Sequence, residues 1–291
     1  MKQLVILSGK GGTGKTTVAS SFIRLSYRKA FADCDVDAPN LHQIFDYGEA
    51  AEKAPFYGLK KAVKYDQFCT GCGKCEELCR FGAIKNGKVN PYECEGCGVC
   101  EAFCPAHDEE GKPAIRLEER VSGETRLYRD HGDVFSTAEL SMGSGASGRL
   151  VTEVRQNLLK AASGESYAII DGSPGIGCPV IASVTGTGMV LIVAEPTVSG
   201  IHDLKRIVTT ARRFGAKIAV CINKFDVSKS NTGAIKKFCR EARIPIVGLI
   251  PYDSTVIMAV NAGKAVVDYE NSAAGHAIRK IWKNVKRMLF S

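Results

Sequence analysis

The sequence predicts an α/β protein: a doubly wound, mostly parallel sheet interrupted by a small α+β module rich in cysteine. Three observations carry this expectation. Short apolar runs recur at residues 3–7, 29–32, 168–170, 189–194, 218–222 and 246–250, as strands buried on both faces of a parallel sheet require. From residue 167 onward they alternate with helical patterns at 201–214 and 234–242, the rhythm of right-handed strand–helix–strand crossovers. Eight of the twelve cysteines fall between Cys69 and Cys104, where large aliphatic residues thin out.

The first strand runs straight into Gly9-Lys10-Gly11-Gly12-Thr13-Gly14-Lys15-Thr16, a full match to G-x-x-x-x-G-K-[ST], and a helical stretch follows over residues 15–27. Glycines let such a loop fold into a nest of N–H groups aimed at phosphate oxygens, and the helix N-terminus adds a favourable dipole. Lys15 is the expected ligand of the β and γ phosphates, Thr16 the expected Mg²⁺ ligand, and Thr17 extends the loop's contacts. The chain is thus read as an ATP/ADP-binding P-loop protein.

After the second strand comes Asp33-Cys34-Asp35-Val36-Asp37. A carboxylate here can orient or deprotonate an attacking water, with Asp35 the first choice and Asp37 the second. Residues 168–171 read Ala-Ile-Ile-Asp, a buried strand ending in an acid, which suits Asp171 to the Mg²⁺ shell. Gly172-Ser173-Pro174-Gly175 follows as a second switch.

Between these segments the rhythm breaks. Cys69, Cys72, Cys75 and Cys79 have the spacing C-x₂-C-x₂-C-x₃-C, and Cys94, Cys97, Cys100 and Cys104 repeat it before Pro105. In that spacing the fourth cysteine of each run serves the other cluster. One [4Fe–4S] cluster is therefore expected on Cys69, Cys72, Cys75 and Cys104, and a second on Cys94, Cys97, Cys100 and Cys79. Zinc favours separated C-x₂-C pairs over runs of four. With aliphatic residues so sparse, the core of this module is expected to be inorganic, and Arg80 is expected to favour the reduced state of the second cluster. The doubled spacing resembles bacterial two-cluster ferredoxins. The expected domains are a discontinuous P-loop ATPase domain, residues 1–58 and 119–291, and an inserted ferredoxin-like domain, residues 59–118. The Gly/Ser-rich stretch 141–148 reads as an exposed connector or as a coupling element between the two.

The 291 residues are 45% hydrophobic and 24% charged, ordinary for a globular chain. No apolar run approaches the roughly 18 residues that span a bilayer, and the N-terminus lacks a signal-peptide pattern. A cytoplasmic location is expected. The formal charge of +8 falls to about +4 once two clusters are counted. No Lys/Arg stripe interleaved with aromatics is present, so nucleic-acid binding is not expected.

Lys10 adds a resemblance. A second lysine early in the loop is similar to the deviant motif of the MinD/ParA/Mrp and nitrogenase-iron-protein ATPases. The likeness continues through the Asp33–Asp37 segment, through Glu195-Pro196-Thr197 with Ile201-His202-Asp203-Leu204-Lys205, and into Asn223 and Pro251-Tyr252-Asp253. It implies slow, partner-stimulated ATP hydrolysis and a homodimer closed by ATP, in which Lys10 reaches the other chain's nucleotide. It also implies adenine contacts from Asn223, Pro251, Tyr252 and Asp253.

Together with the cysteines, the expected activity is electron transfer to a redox or metallocluster partner, coupled to dimer closure. The insert leaves the chain just after the first switch, a short path for that coupling. An Mrp-like cofactor-assembly ATPase and a MinD-like membrane-cycling regulator are the alternatives; the absence of any cysteine after Cys239 lowers the former. Cys178 and Cys221 read as buried thiols. The C-terminal pattern of Ile278, Ile281, Trp282, Val285, Met288 and Leu289 fits a helix packed on the sheet or, as in MinD, one laid on a membrane.

Overall fold

A computed structural model describes residues 1–27 and 29–291. The chain divides into two compact units: Met1–Lys53, Thr125–Glu139 and Ser147–Ser291 form the first, and Ala54–Glu124 with Leu140–Ala146 the second.

In chain order the strands are β1 Lys2–Leu7, β2 Ala30–Asp33, β3 Glu52–Tyr57, β4 Lys61–Lys64, β5 Ile84–Lys85, β6 Lys88–Val89, β7 Ile115–Glu118, β8 Val121–Asp130, β9 Asp133–Leu140, β10 Tyr167–Asp171, β11 Met189–Ala194, β12 Lys217–Asn223 and β13 Ile246–Ile250. The helices are α1 Lys15–Arg24, α2 Lys74–Leu78, α3 Val99–Ala102, α4 Ser147–Ala161, α5 Cys178–Val184, α6 Val198–Arg213, α7 Lys229–Glu241, α8 Thr255–Asn261 and α9 Ala273–Phe290.

The main sheet has the order β13-β12-β11-β1-β10-β2-β9-β8-β3. From β13 through β9 every pairing is parallel. The chain order reverses around β1, so the carboxyl ends of β1, β10 and β2 meet at a topological switch point, where such folds bind ligands. All six apolar runs anticipated as strands are strands. Along them, alternate residues such as Leu4, Ile6, Ile169 and Leu191 enter one core with Phe22, Ile278, Ile281 and Val285. Val5, Leu7, Ile170 and Val190, equally buried, point the other way, where α4 packs over β2 and α6 over β11 and β12. The first helix ends at Arg24 rather than at residue 27, with Leu25 as its cap.

Helix α9 settles onto the sheet. Its Ile281 occupies the space that the missing side chain of Gly248 leaves on β13, and Trp282 lies 4.7 Å from the Phe22 ring of α1. The buried set Ile278, Ile281, Trp282, Val285 and Leu289 is the apolar stripe seen in the sequence. Between the reading that packs this helix on the sheet and the one that lays it on a membrane, the burial of its apolar face favours the first. No helix among the described residues is long and apolar enough to cross a membrane.

The hairpin β8–β9 was not expected. It turns through His131 and Gly132, with φ 44° and 90°, the left-handed pair a two-residue hairpin needs. Strand β9 then joins the parallel sheet beside β2.

In the second unit, β4 pairs with β7 and β5 with β6, both antiparallel. The expectation of a wholly inorganic core is corrected here. Ala62, Ala83, Ile84 and Ile115 are buried together with Cys94; the pairing of β4 with β7 supplies Ala62 and Ile115, and β5 adds Ile84. Within the stretch 141–148, Ser141, Met142, Gly143 and Gly145 are exposed. Residues 140–146 belong to the second unit, and a Cβ placed on Gly143 would stand 3.1 Å from the Tyr92 ring.

Candidate functional site

At the carboxyl end of β1 the P-loop folds around Gly12 and Gly14, with φ 77° and 90°. Gly14 has a second reason to lack a side chain: a Cβ there would strike Nδ2 of Asn223, which donates to the Thr13 carbonyl at 2.7 Å. Gly9 is required by a close approach, since a Cβ would collide with that of Asp203 on α6. No side chain caps the N-terminus of α1, so its first N–H groups are left to an anion.

The loop opens on a cleft of about 550 Å³. Lys10, Gly11, Gly12, Thr13, Gly14, Lys15, Thr16 and Thr17 line one side, and Asn223, Lys224, Pro251, Tyr252 and Asp253 another, with Asp35 and Pro174 also in the wall. The structure thus brings together nearly all the residues expected to hold a nucleotide. Gly9, Asp37 and Asp171 stand outside its lining. Gly9 lies against Asp203 of α6, Asp37 is exposed between Asp35 and Ala38 of the wall, and Asp171 is fully buried against Lys15 and Thr16. The carboxylate of Asp253 is occupied: it accepts from Ser272 Oγ at 2.7 Å, Ala274 N at 3.0 Å and, through its other oxygen, Thr255 N at 2.9 Å. Burial acts to raise its pKa, but these donors hold it well below the usual carboxylate range. Asp253 therefore ties α8 to the start of α9 and shapes the cleft from behind its own side chain.

Lys15 is 6% exposed and Asp171 is fully buried. The ammonium lies 2.7 Å from Asp171 Oδ1 and 4.0 Å from Asp35 Oδ2. Burial disfavours its charge, but Asp171, Asp33 and Asp35 outweigh burial and raise its pKa. Thr16 Oγ1 donates to Asp171 Oδ2 at 2.7 Å, placing a hydroxyl and a carboxylate side by side, a hard-oxygen pair suited to Mg²⁺. Asp35 has its pKa raised by burial, with Asp171 and Asp37 adding to it against Lys15.

Three groups in this site stand in the sequence only as members of longer segments, with no role assigned to them. Asp33, fully buried, accepts from the backbone N–H groups of Asp35, Asn40 and Leu41 at 2.9–3.0 Å, folding the first switch around its carboxylate. Burial and the neighbouring Asp171 push its pKa up to about 7. Ser173 donates its hydroxyl to the Cys34 carbonyl, joining the second switch to the first. Glu195 binds Lys10 at 3.3 Å and Lys224 at 2.9 Å. A signal for Glu195 was present, since it directly follows β11 as Asp171 ends β10 and Asn223 ends β12, all at the ligand-binding edge of a parallel sheet.

In the second unit the cysteines fall into two sets. One small cavity is lined by Cys69, Cys72, Cys75 and Cys104, a second by Cys79, Cys94, Cys97 and Cys100. Each set takes three cysteines from one run and the fourth from the other. Lys64 and Lys74 also border the first cavity, whereas Phe81, Ile84, Val99 and Leu117 border the second. Arg80, next in sequence to Cys79 of the second set, is exposed and lines neither cavity. Among the described residues no three His, Cys, Asp or Glu side chains are gathered closely enough to hold a single metal ion. Outside this unit, Cys221 and Cys239 are buried thiols, and burial pushes their pKa up to about 12 and about 11. Cys178 departs from the expected burial: it is exposed at the first position of α5.

Residues 4–266 match the CobQ/CobB/MinD/ParA nucleotide-binding domain family. An uncharacterised protein of Methanocaldococcus jannaschii is 31% identical over 299 residues, covering 99% of this chain and 97% of the relative. The septum site-determining protein MinD of Neisseria meningitidis is 23% identical over 295 residues, 96% of this chain and 89% of that protein. Among solved structures, MinD of Pyrococcus horikoshii complexed with Mg-ADP has a TM-score of 0.60 at 16% identity, over 99% of this chain and 96% of that one. The Cyanothece McdA(D38A)–ATP complex has a TM-score of 0.58 at 21% identity, over 100% and 96%. At such identities the likeness to solved structures is one of fold.

Proposed function

The chain belongs to the CobQ/CobB/MinD/ParA nucleotide-binding family, and we propose that it is an ATP-switched ATPase of the MinD/ParA kind. The observation that carries this is the cleft lined by Lys15 and Thr16 beneath a glycine nest, both held by buried Asp171, with Lys10 also in its wall. The nest and the N-terminus of α1 would bind the phosphates, Lys15 would neutralise their developing charge, and Asp35 would orient the attacking water. Thr16 and Asp171 would hold Mg²⁺. Asn223, Pro251 and Tyr252 would receive the base. Through Ser173 and Cys34 a change at one switch is felt at the other. Lys10, only partly buried, would reach the nucleotide of a second copy.

The comparisons favour this MinD-like switch over electron transfer as the principal activity. The burial of the apolar face of α9 argues that any membrane contact uses another surface. The experiment is sedimentation velocity of the full chain with ADP, ATP and a non-hydrolysable ATP analogue. Dimers with the ATP forms, absent with ADP and absent in Lys15→Ala, are expected; a monomer under all conditions would exclude the switch.

A specific observation favours a further reading, in which the second unit is a ferredoxin-like carrier of two [4Fe–4S] clusters. The donor set fits: eight thiols, in two sets of four, each around its own cavity. Zinc favours separated C-x₂-C pairs over runs of four, whereas two crossed sets of three cysteines plus one match the spacing of a two-cluster module. Cys69, Cys72, Cys75 and Cys104 would hold one cluster, and Cys79, Cys94, Cys97 and Cys100 the other. When bound, the clusters would supply one-electron chemistry, which a redox partner or a cofactor-assembly client would use. Iron and sulfide analysis with EPR on anaerobically prepared protein tests this; a colourless, iron-free chain that binds no iron on reconstitution would end it.

A further inference from the structure

The two lysines of the P-loop live in different surroundings. Lys15 is 6% exposed and faces three carboxylates, whereas Lys10 is 40% exposed and touches one, Glu195 Oε2, at 3.3 Å. The other oxygen of Glu195 holds Lys224 at 2.9 Å. Lys224 is itself fixed. Its backbone sits in the left-handed region with φ 52°, its N–H donates to Asn223 Oδ1 at 3.0 Å, and its ammonium reaches the Gly12 carbonyl at 3.4 Å. Burial works to raise the pKa of Glu195, but Lys224 and then Lys10 hold it below the usual carboxylate range, so the group stays charged at neutral pH.

We propose that Glu195 is a latch for Lys10, a positioning residue that keeps this lysine on its own chain until the phosphates of a second, ATP-loaded copy compete for it. The proposal rests on the dimerising reading above. Its physical logic is in the asymmetry of the two contacts. The Lys10 contact is the longer and more exposed of the two, the kind of ion pair that water and salt already weaken. A triphosphate offers several anionic oxygens and outcompetes one carboxylate. When Lys10 leaves, Glu195 keeps Lys224 and is not stranded as an unpaired, half-buried charge, the outcome that makes such releases costly. The latch thus sets how much ATP is needed before two copies join, without touching the reacting atoms.

The test uses the full nucleotide-free chain with Glu195→Gln and Glu195→Asp. Lys10 acylation by an N-hydroxysuccinimide ester is followed by mass spectrometry, with exposed Lys236 as internal standard. Glu195→Gln is expected to acylate several-fold faster at Lys10 with Lys236 unchanged, and Glu195→Asp to fall between it and the wild type. Equal Lys10 rates in all three overturn the latch. Should the glutamine variant fail to fold, the aspartate variant alone decides on the same criterion. In an ATP titration of dimer formation, Glu195→Gln should reach its midpoint at several-fold lower ATP. If Lys10→Ala blocks dimerisation but Glu195→Gln leaves the midpoint in place, the latch alone falls. If Lys10→Ala dimerises like the wild type, the reach of Lys10 to the second copy falls and takes the latch with it; a wild-type chain that stays monomeric with ATP removes the dimer reading itself.

Discussion

Lys15 Nζ and Asp171 Oδ1 lie 2.7 Å apart, Lys15 only 6% exposed and Asp171 fully buried, so the Asp171 charge is tolerated in the core because of the lysine. Lys15→Met should therefore do two things at once. It should abolish ATP binding, and it should destabilise the fold by about 3–5 kcal/mol, because Asp171 keeps a buried charge without its partner. Denaturant unfolding with and without nucleotide measures both. A variant as stable as the wild type would refute the dependence of Asp171 on Lys15.

Asp33 gives the fold a dependence on pH. Its pKa rises from 3.8 to about 7 on folding, so between those values the native chain holds a proton that the unfolded chain has released. Its contribution is fully present below pH ~4 and is lost as pH rises through about 7. Wild-type stability should accordingly fall across that window, and Asp33→Asn, which cannot titrate, should flatten the profile. Parallel profiles for the two proteins, from denaturant midpoints at pH 4.5 to 7.5, would remove Asp33 as the cause.

Two glycines of the loop separate backbone demand from mere neighbourhood. Gly14 combines φ 90° with a collision against Asn223, while nothing lies within 4 Å of a Cβ on Gly11. Gly14→Ala should cost about 1–3 kcal/mol in strain and displace Asn223 from the cleft, with nucleotide affinity lost. Gly11→Ala should leave stability within about 0.5 kcal/mol. Fluorescent-nucleotide titration and thermal melts distinguish the two, and equal losses in both would refute the assignment.

For the cysteines, single serine variants should sort by cavity and not by run. Cys104→Ser should share its spectroscopic phenotype with Cys69→Ser and Cys72→Ser, and Cys79→Ser with Cys94→Ser and Cys97→Ser. Each should drop iron from about eight to about four per chain. Grouping of Cys104 with Cys97 in EPR and iron analysis would contradict the crossed sets.

The parallel strands were legible because a strand buried on both faces must be an apolar run, and few other elements of this length look alike. The nucleotide site was legible because phosphate binding constrains neighbours in sequence: glycines, Lys15 and Thr16 sit on one loop. What was missed is held by distance along the chain. Glu195 meets Lys10 only after β11 and β1 are placed side by side. Asp33 looks like one acid among three until burial singles it out. The hairpin of β8 and β9 mixes polar and apolar residues without the clean run of its neighbours, so neither strand announced itself. Asp37 was chosen by motif position, and a turn carries it out to solvent.

The backbone crosses between the two units four times, after residues 53, 124, 139 and 146. Lifting out residues 54–124 leaves behind residues 140–146, with Gly143 that belongs against Tyr92. Lifting out residues 54–146 takes β9 as well, the parallel neighbour of β2. Neither recombination delivers a clean cassette. The cysteine unit and the nucleotide unit are therefore interleaved along the chain: only a cut at all four junctions separates them and keeps β9 beside β2.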